Sequence, residues 1–340
     1  MEPMSPLKQI LLKGDPFSDI LGQDNAKKQL KSALLADRHV LILGPPGIGK
    51  TTLAKNLAKL LPDLTVNDCS FNCLPDNPVC PECRARKQKT RKTKGIERFI
   101  RIQGSPDLTA EDLIGDIDPI KALKFGPLSP EAFSPGKIFK ANNGILFFDE
   151  LNRCPEKLQN ALLQVLQEGK ATIGSYDVDI ESSFIFIGTM NPKDTSTERL
   201  SDVLMDRFDV VYMTYPETAE TEKEIVKKHG KSFNEIEFPQ NILNLTVGFI
   251  RNLRDDSKLE KVPSVRATLG LYERAQTNAL IKNKKIVSFV DVEEAMLSVL
   301  SHRIRLKPTA EYLQSPAEYI KDEFKKFAEH NRITEKGDYP

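Results

Sequence analysis

Short, wholly apolar runs alternate with amphipathic stretches through the first two thirds of the chain. His39-Val40-Leu41-Ile42-Leu43 ends in a Gly/Pro turn, and Ile145-Leu146-Phe147-Phe148 and Phe184-Ile185-Phe186-Ile187 each close on polar residues. Such runs, bounded by turn signals, fit strands buried on both faces, as in a parallel sheet. Between them, 52–61 carries Leu53, Leu57, Leu60 and Leu61 on one helical face until Pro62 stops it. Behind Pro155, which a first helical turn tolerates, Leu158, Leu162, Val165 and Leu166 follow at helical spacing up to Gly169. The alternation predicts an α/β layer with a mostly parallel sheet. After Tyr215-Pro216 the pattern turns helical, with a Thr218-capped acidic start and then 240–252, 264–282 and 288–303. We therefore expect an α/β domain over 1–216, a small all-helical domain over 217–310, and a charged helix or tail over 311–340.

Three insertions interrupt the first domain. Residues 68–95 are rich in cysteine and then in cations. Residues 103–136 hold Pro106, Pro119, Pro127, Pro130 and Pro135, so a long loop with short helical or hairpin pieces is expected there. In 171–182, Thr172-Ile173 and Val178-Asp179-Ile180 flank Gly174-Ser175-Tyr176-Asp177 as a hairpin would.

Composition narrows the function classes. The 340 residues exceed one ordinary domain, and 49 Lys+Arg against 48 Asp+Glu leave a formal net charge of +1. That balance argues against a dedicated nucleic-acid coat, whose affinity comes from an excess of phosphate-neutralising cations. No apolar stretch approaches the roughly 18 residues of a membrane span, and Met1-Glu2-Pro3-Met4-Ser5-Pro6 has no basic-then-apolar leader pattern. The expectation is a soluble, cytoplasmic protein.

The chemistry starts at Gly44-Pro45-Pro46-Gly47-Ile48-Gly49-Lys50-Thr51, which matches G-x-x-x-x-G-K-[ST] between a strand and a helix that Thr52 continues. Glycines let successive backbone N–H groups converge on phosphate oxygens, and the helix start adds its positive dipole end. Lys50 would reach the β- and γ-phosphates, and Thr51 would offer its hydroxyl to Mg²⁺. An accidental glycine-rich turn would lack the flanking strand and helix. Ile145–Phe148 leads into Asp149-Glu150, which places two acids at the carboxyl edge of the sheet, where open α/β folds bind ligands. Asp149 suits the Mg²⁺-organising carboxylate and Glu150 the base that orients attacking water.

With Gly188-Thr189-Met190-Asn191-Pro192 and Asp206-Arg207-Phe208 added in that order, the chain resembles an AAA+ ATPase over residues ~20–300. Within that superfamily it is similar to the magnesium-chelatase I-subunit/MoxR branch. The closest marks are Phe139-Lys140-Ala141-Asn142-Asn143-Gly144-Ile145-Leu146 leading into Asp149-Glu150-Leu151-Asn152-Arg153, and Gly188-Thr189-Met190-Asn191-Pro192; the cysteine segment Cys69-Ser70-Phe71-Asn72-Cys73 with Cys80-Pro81-Glu82-Cys83-Arg84 also looks chelatase-like. The resemblance implies an αβα sandwich followed by a helical lid, with ATP and Mg²⁺ as cofactors. It also implies Asn191 as sensor 1, Arg207 as an arginine finger entering a neighbouring subunit's site, and Arg266 as sensor 2. Read without it, Asn191 could cap a turn, and Arg207 or Arg266 could be surface ion-pair partners. A finger acting in trans needs a homo-oligomeric ring, a hexamer by resemblance. The implied activity is ATP-driven remodelling of a partner protein, often one with a von Willebrand A domain, with Mg²⁺ insertion into a tetrapyrrole where that partner is a chelatase. The inserts 103–136 and 171–182 would face the pore or the partner. The alternative is a nucleic-acid motor related to the minichromosome-maintenance helicases.

Cys69-x₃-Cys73-x₆-Cys80-x₂-Cys83 puts four of the five cysteines within fifteen residues, a spacing that suits a tetrahedral Zn²⁺ site, with an iron–sulfur cluster as the second choice and free thiols in a loop as the plain alternative. Cys154 reads as a small buried hydrophobe. Arg84, Arg86, Lys87, Lys89, Arg91, Lys92 and Lys94 follow with no interleaved aromatic, which predicts a solvated loop more than a nucleic-acid surface. His39, His229, His302 and His330 show no ligand spacing.

Overall fold

The computed structural model describes residues 6–127, 129–173, 178–192 and 200–331. The expected hairpin tip at 174–177, the first five residues of the N-terminal hexapeptide and the last nine residues of the expected tail lie outside them. The chain divides into two compact units. The first comprises Met1–Pro45 with Gly49–Met213, and the second Pro46–Ile48 with Thr214–Pro340.

In the first unit five strands run parallel: β1 (His39–Leu43), β2 (Phe99–Gln103), β3 (Gly144–Asp149), β4 (Phe184–Met190) and β5 (Phe208–Tyr212), in the order β5-β1-β4-β3-β2. The three central strands are the three apolar runs of the sequence. Val40, Leu41 and Ile42 of β1 and Ile145 to Phe148 of β3 have no exposed surface, as expected of strands covered on both faces. Helices α1 (Asp24–Leu35), α2 (Lys50–Leu60) and α3 (Glu156–Glu168) flank the sheet. Pro155 caps α3, and Gly169 ends it in the left-handed region at φ 65°.

β2 and β5 were not among the predicted strands. Both are the edges of the sheet, and edge strands carry polar residues that break an apolar run: Arg101 and Gln103 in β2, Asp209 in β5. The cationic stretch expected as a solvated loop is in part a strand, because Thr90–Thr93 pairs antiparallel with Leu64–Asn67 and buries Thr93. The longer insert is built as expected from short pieces. Gly115–Ile117 pairs with Phe133–Pro135, and the short helix Pro119–Phe125 lies between them.

Among the described residues the second unit holds α4 (Ala219–His229), α5 (Gln240–Asp255), α6 (Val265–Ile281), α7 (Phe289–Leu300) and α8 (Pro316–His330), the short helix Pro308–Glu311, and one short pair of strands, Leu259–Lys261 and Arg305–Leu306. α8 follows a charged stretch yet buries Tyr319, Ile320 and Phe324. The Phe324 ring stacks on Phe289 at 4.8 Å and meets Phe249 edge-on at 4.9 Å. Three helices are tied by one buried acid. Glu222 of α4 is fully buried; its two oxygens accept from Arg254 of α5 at 2.6 and 2.7 Å, and one also accepts from Thr268 of α6 at 2.6 Å. Arg254 is held in turn by the Pro263 carbonyl at 2.9 Å and by the face of Tyr215 at 4.7 Å. Removing one partner of such a pair strands a buried charge, at about 3–5 kcal/mol. Glu222→Ala is therefore expected to lower the Tm of the second unit by that equivalent in differential scanning calorimetry, while Glu222→Gln, which keeps two polar atoms, loses less.

Candidate nucleotide site and cysteine cluster

The carboxyl ends of β1, β3 and β4 meet at one edge of the sheet. After β1 the chain enters the phosphate loop, where Gly47 (φ 76°) and Gly49 (φ 97°) take left-handed backbone that side chains rarely adopt. Gly44 N–H donates to the Met190 carbonyl at 3.2 Å and ties the loop to the end of β4. Gly49 precedes the first residue of α2, so Lys50 and Thr51 stand at a helix start. Lys50 Nζ donates to the Gly44 and Pro45 carbonyls at 2.6 and 3.0 Å.

The acids predicted at the end of β3 are there, and the register explains their surroundings. β2 pairs with β3 so that Gln103 lies opposite Asp149. Arg101 and Gln103 are two residues apart and therefore share a face. Arg101 Nη2 reaches Asp149 Oδ2 at 2.7 Å, and Gln103 Nε2 donates to Glu150 Oε2 at 2.9 Å. From β4, the fully buried Thr189 donates its hydroxyl to Asp149 Oδ1 at 2.6 Å and accepts the Glu150 N–H at 3.0 Å. Thr51 Oγ1 lies 3.5 Å from Asp149 Oδ2, and Arg153 Nε lies 3.4 Å from Glu150 Oε2. Glu150 sits at φ 56°, a left-handed conformation that costs a non-glycine residue on the order of 1–3 kcal/mol.

The structure thus brings Thr51, Asp149 and Glu150 together. Asn191 follows β4 directly, half-buried. Arg207 precedes β5, half-buried, with Nη2 on Gln167 Oε1 at 3.2 Å and Nε without a hydrogen-bond partner among the described residues. Arg266 is exposed on the first turn of α6 in the second unit. Sequence reasoning missed Arg101, Gln103, Gly104 and Thr189. Nothing in the spacing of Gly188-Thr189-Met190-Asn191-Pro192 singles out the threonine, and the other three sit on or just past an edge strand that the apolar pattern does not reveal.

The four cysteines also converge. One Sγ from each of Cys69, Cys73, Cys80 and Cys83 lies within 4.8 Å of every other; Cys69 is half-buried and the rest are buried. Contacts with the Cys73 and Cys80 thiols hold the Cys69 thiol far below its ordinary value, and its contact with Cys69 pushes Cys80 far up. Cys154 is fully buried, as expected of a small hydrophobe.

Three family models match the chain: magnesium chelatase, subunit ChlI, over residues 16–74; the ATPase family associated with various cellular activities (AAA) over 84–210; and the AAA lid domain over 261–323. A magnesium-chelatase subunit ChlI homolog of Methanocaldococcus jannaschii is 31% identical over 321 residues, covering 86% of each chain. The chain belongs to the magnesium-chelatase I-subunit family of AAA+ ATPases. The chloroplastic ChlI subunit of Oryza sativa is 32% identical over 86% of this chain and 76% of its own, and ChlI of Synechocystis is 29% identical over 86% and 89%. RuvB of Thermotoga maritima shares the fold at a TM-score of 0.51 and 20% identity, over 84% of this chain and 73% of RuvB.

This family member is an ATPase, with ATP and Mg²⁺ as its cofactors. The residues present fit both. A glycine-built loop at a helix start supplies N–H donors for phosphate, and the Thr51 hydroxyl and Asp149 carboxylate stand 3.5 Å apart as a pair of hard oxygen donors for Mg²⁺. The position of the acids depends on Gly104, whose N–H donates to the Asp149 carbonyl at 2.7 Å and where a Cβ would fall 2.0 Å from the Glu150 carbonyl oxygen. Gly104→Ala must push Glu150 aside. The expected result is a loss of ATPase turnover of roughly 10²-fold, the size that ~1 Å of misplacement costs, with nucleotide affinity in a fluorescent-ATP titration changed far less.

Proposed function

We propose that this ATPase works as an oligomeric ring, a hexamer, in which each nucleotide site is completed by a neighbouring subunit and hydrolysis remodels a partner protein. Lys50 holds the β- and γ-phosphates, Thr51 and Asp149 orient Mg²⁺, Glu150 orients the attacking water, and Asn191 holds that water near the γ-phosphate. Arg207 is the finger supplied in trans, and Arg266 is the lid arginine. Arg207 is the observation that carries the inter-subunit part. Its guanidinium is half-buried with one amide partner, a buried Nε that bonds nothing, and no ion-pair acid among the described residues. A cation held this way has charge left to give to a phosphate.

The partner would be a protein with a von Willebrand A domain. Where that partner is a chelatase, hydrolysis would be coupled to Mg²⁺ insertion into a protoporphyrin; relatives named as magnesium-chelatase subunits across most of the chain support this reading. A thiol cluster suits a reducing compartment such as the cytoplasm.

The test is steady-state ATPase activity of the wild type and Arg207→Ala, alone and mixed one to one. Arg207→Ala should lose roughly 10³-fold or more if it acts as other such fingers do, and the mixture should depart from the average of its components because sites are shared. Equal activity, or a strictly averaged mixture, would overturn the trans role. Glu150→Gln should abolish turnover by ~10²–10⁴-fold and keep ATP binding; normal hydrolysis would remove Glu150 as the base. Stimulation by single-stranded DNA, and by no partner protein, would favour the nucleic-acid motor instead.

A further inference from the structure

The cysteine cluster takes no part in nucleotide chemistry, and its geometry goes further than its spacing. Two turns assemble it. Cys69 N–H donates to the Asn67 carbonyl and Asn67 N–H to the Cys73 carbonyl, both at 2.8 Å, which folds 67–73 back on the strand before it. Cys80 then caps the short helix Pro81–Ala85, where the Cys83 N–H donates to Cys80 Sγ at 3.4 Å, and the Cys80 N–H donates to Cys73 Sγ at 3.4 Å. Backbone donors aimed at sulfur stabilise thiolates.

The spread of the sulfurs decides the class of ligand. Four thiolates on one tetrahedral Zn²⁺ at ~2.3 Å stand about 3.8 Å apart. All four sulfurs here lie within 4.8 Å of one another, so a single ion needs only a small contraction. A four-iron cluster places each thiolate on a different iron and needs a wider cage. Two disulfides would not need every sulfur to face the other three.

The cluster is also joined to the core of the first unit. Asn142 Nδ2 donates to the Phe71 carbonyl at 3.0 Å, Asn143 Nδ2 to the Asn72 carbonyl at 3.0 Å, and Asn72 Nδ2 to the Lys140 carbonyl at 2.9 Å. Phe71 packs on Phe139 at 5.3 Å and Phe133 at 6.4 Å, and Phe133 belongs to the strand pair at the base of the 115–135 insert. Asn142 and Asn143 immediately precede β3.

We propose that Cys69, Cys73, Cys80 and Cys83 hold one Zn²⁺ as four thiolates, and that this ion braces the Phe71-Asn72 turn against the entry to β3 and the base of the insert. On binding, four Zn–S bonds form and the thiol protons leave to solvent, with no change of oxidation state. The complex carries two net negative charges, and the run from Arg84 to Lys94 supplies cations beside it. The proposal stands independently of the ring and of the partner.

The experiment is metal analysis of the untagged full-length protein with Zn²⁺ and iron both present during expression, together with hydrogen exchange. One zinc per chain, falling below a tenth in Cys80→Ser/Cys83→Ser, supports the site. Where that variant fails to fold, the wild type decides: a mercurial thiol reagent should release the zinc to a chromogenic chelator at about four equivalents. Chelator-stripped protein should exchange faster at 68–94 and 139–146. Absence of zinc, zinc that survives thiol modification, or iron with acid-labile sulfide would overturn the site. Unchanged exchange after stripping would overturn the brace. ATPase activity enters none of these readouts, so failure of the zinc site and failure of the ring reading are distinguishable.

Discussion

The three-way register of β2, β3 and β4 is the constraint on which the site depends. Parallel pairing sets Gln103 opposite Asp149 and brings the end of β4 alongside, so Thr189 bonds the Asp149 carboxylate and the Glu150 backbone with one hydroxyl. Glu150 would not choose φ 56° by itself. It is held there by Thr189 behind its N–H, by Gln103 on its carboxylate and by a glycine at 104 that lets the two chains touch. A one-residue slip of β2 would turn Arg101 and Gln103 to the other face and dissolve the arrangement.

β3 is also pinned at its other end. Gly144 lies where a Cβ would fall 2.2 Å from the Arg98 carbonyl oxygen, and the buried Arg98 guanidinium bonds the Asn143 and Pro62 carbonyls. Asn142 and Asn143 latch the cysteine segment at the same place. Between the two ends, β3 is four fully buried apolar residues. A strand clamped at entry and exit transmits displacement along its length, because a close-packed interior has little slack to absorb it. The cysteine segment and the acids thus sit at opposite ends of one rigid element.

What was legible in the chain follows from burial. The central strands announce themselves because both faces are covered, and a run such as Ile145–Phe148, short, rich in β-branched and aromatic residues and bounded by turn residues, reads as a strand rather than a buried helix. The phosphate loop, the acids and the cysteines are legible because their chemistry needs particular residues at particular spacings. The edge strands β2 and β5 are not legible, since solvent on one side admits Arg101, Gln103 and Asp209 into the pattern. With β2 unseen, two partners of the acids, Arg101 on Asp149 and Gln103 on Glu150, were beyond reach, because they lie nearly fifty positions away. The run from Arg84 to Lys94 misled for a related reason. Pairing with Leu64–Asn67 is a long-range choice that composition does not encode.

The contacts around the acids have a consequence for how ATP is used. Asp149 Oδ2 serves both Arg101, at 2.7 Å, and the Thr51 side on which Mg²⁺ would be organised, so the guanidinium and a metal held there would compete for the same oxygen. Lys50 likewise places its ammonium on the Gly44 and Pro45 carbonyls, contacts that the proposed phosphate role would require it to leave. Hydrogen bonds involving charged groups contribute about 1.5–3 kcal/mol each. If Lys50 and Asp149 act as proposed, nucleotide and metal binding would have to replace these contacts of Arg101 and Lys50. Because Arg101 and Gln103 lie on the same strand face, a shift that frees Asp149 also moves the partner of Glu150. Arg101 and Gln103 thus place one edge strand in contact with both acids.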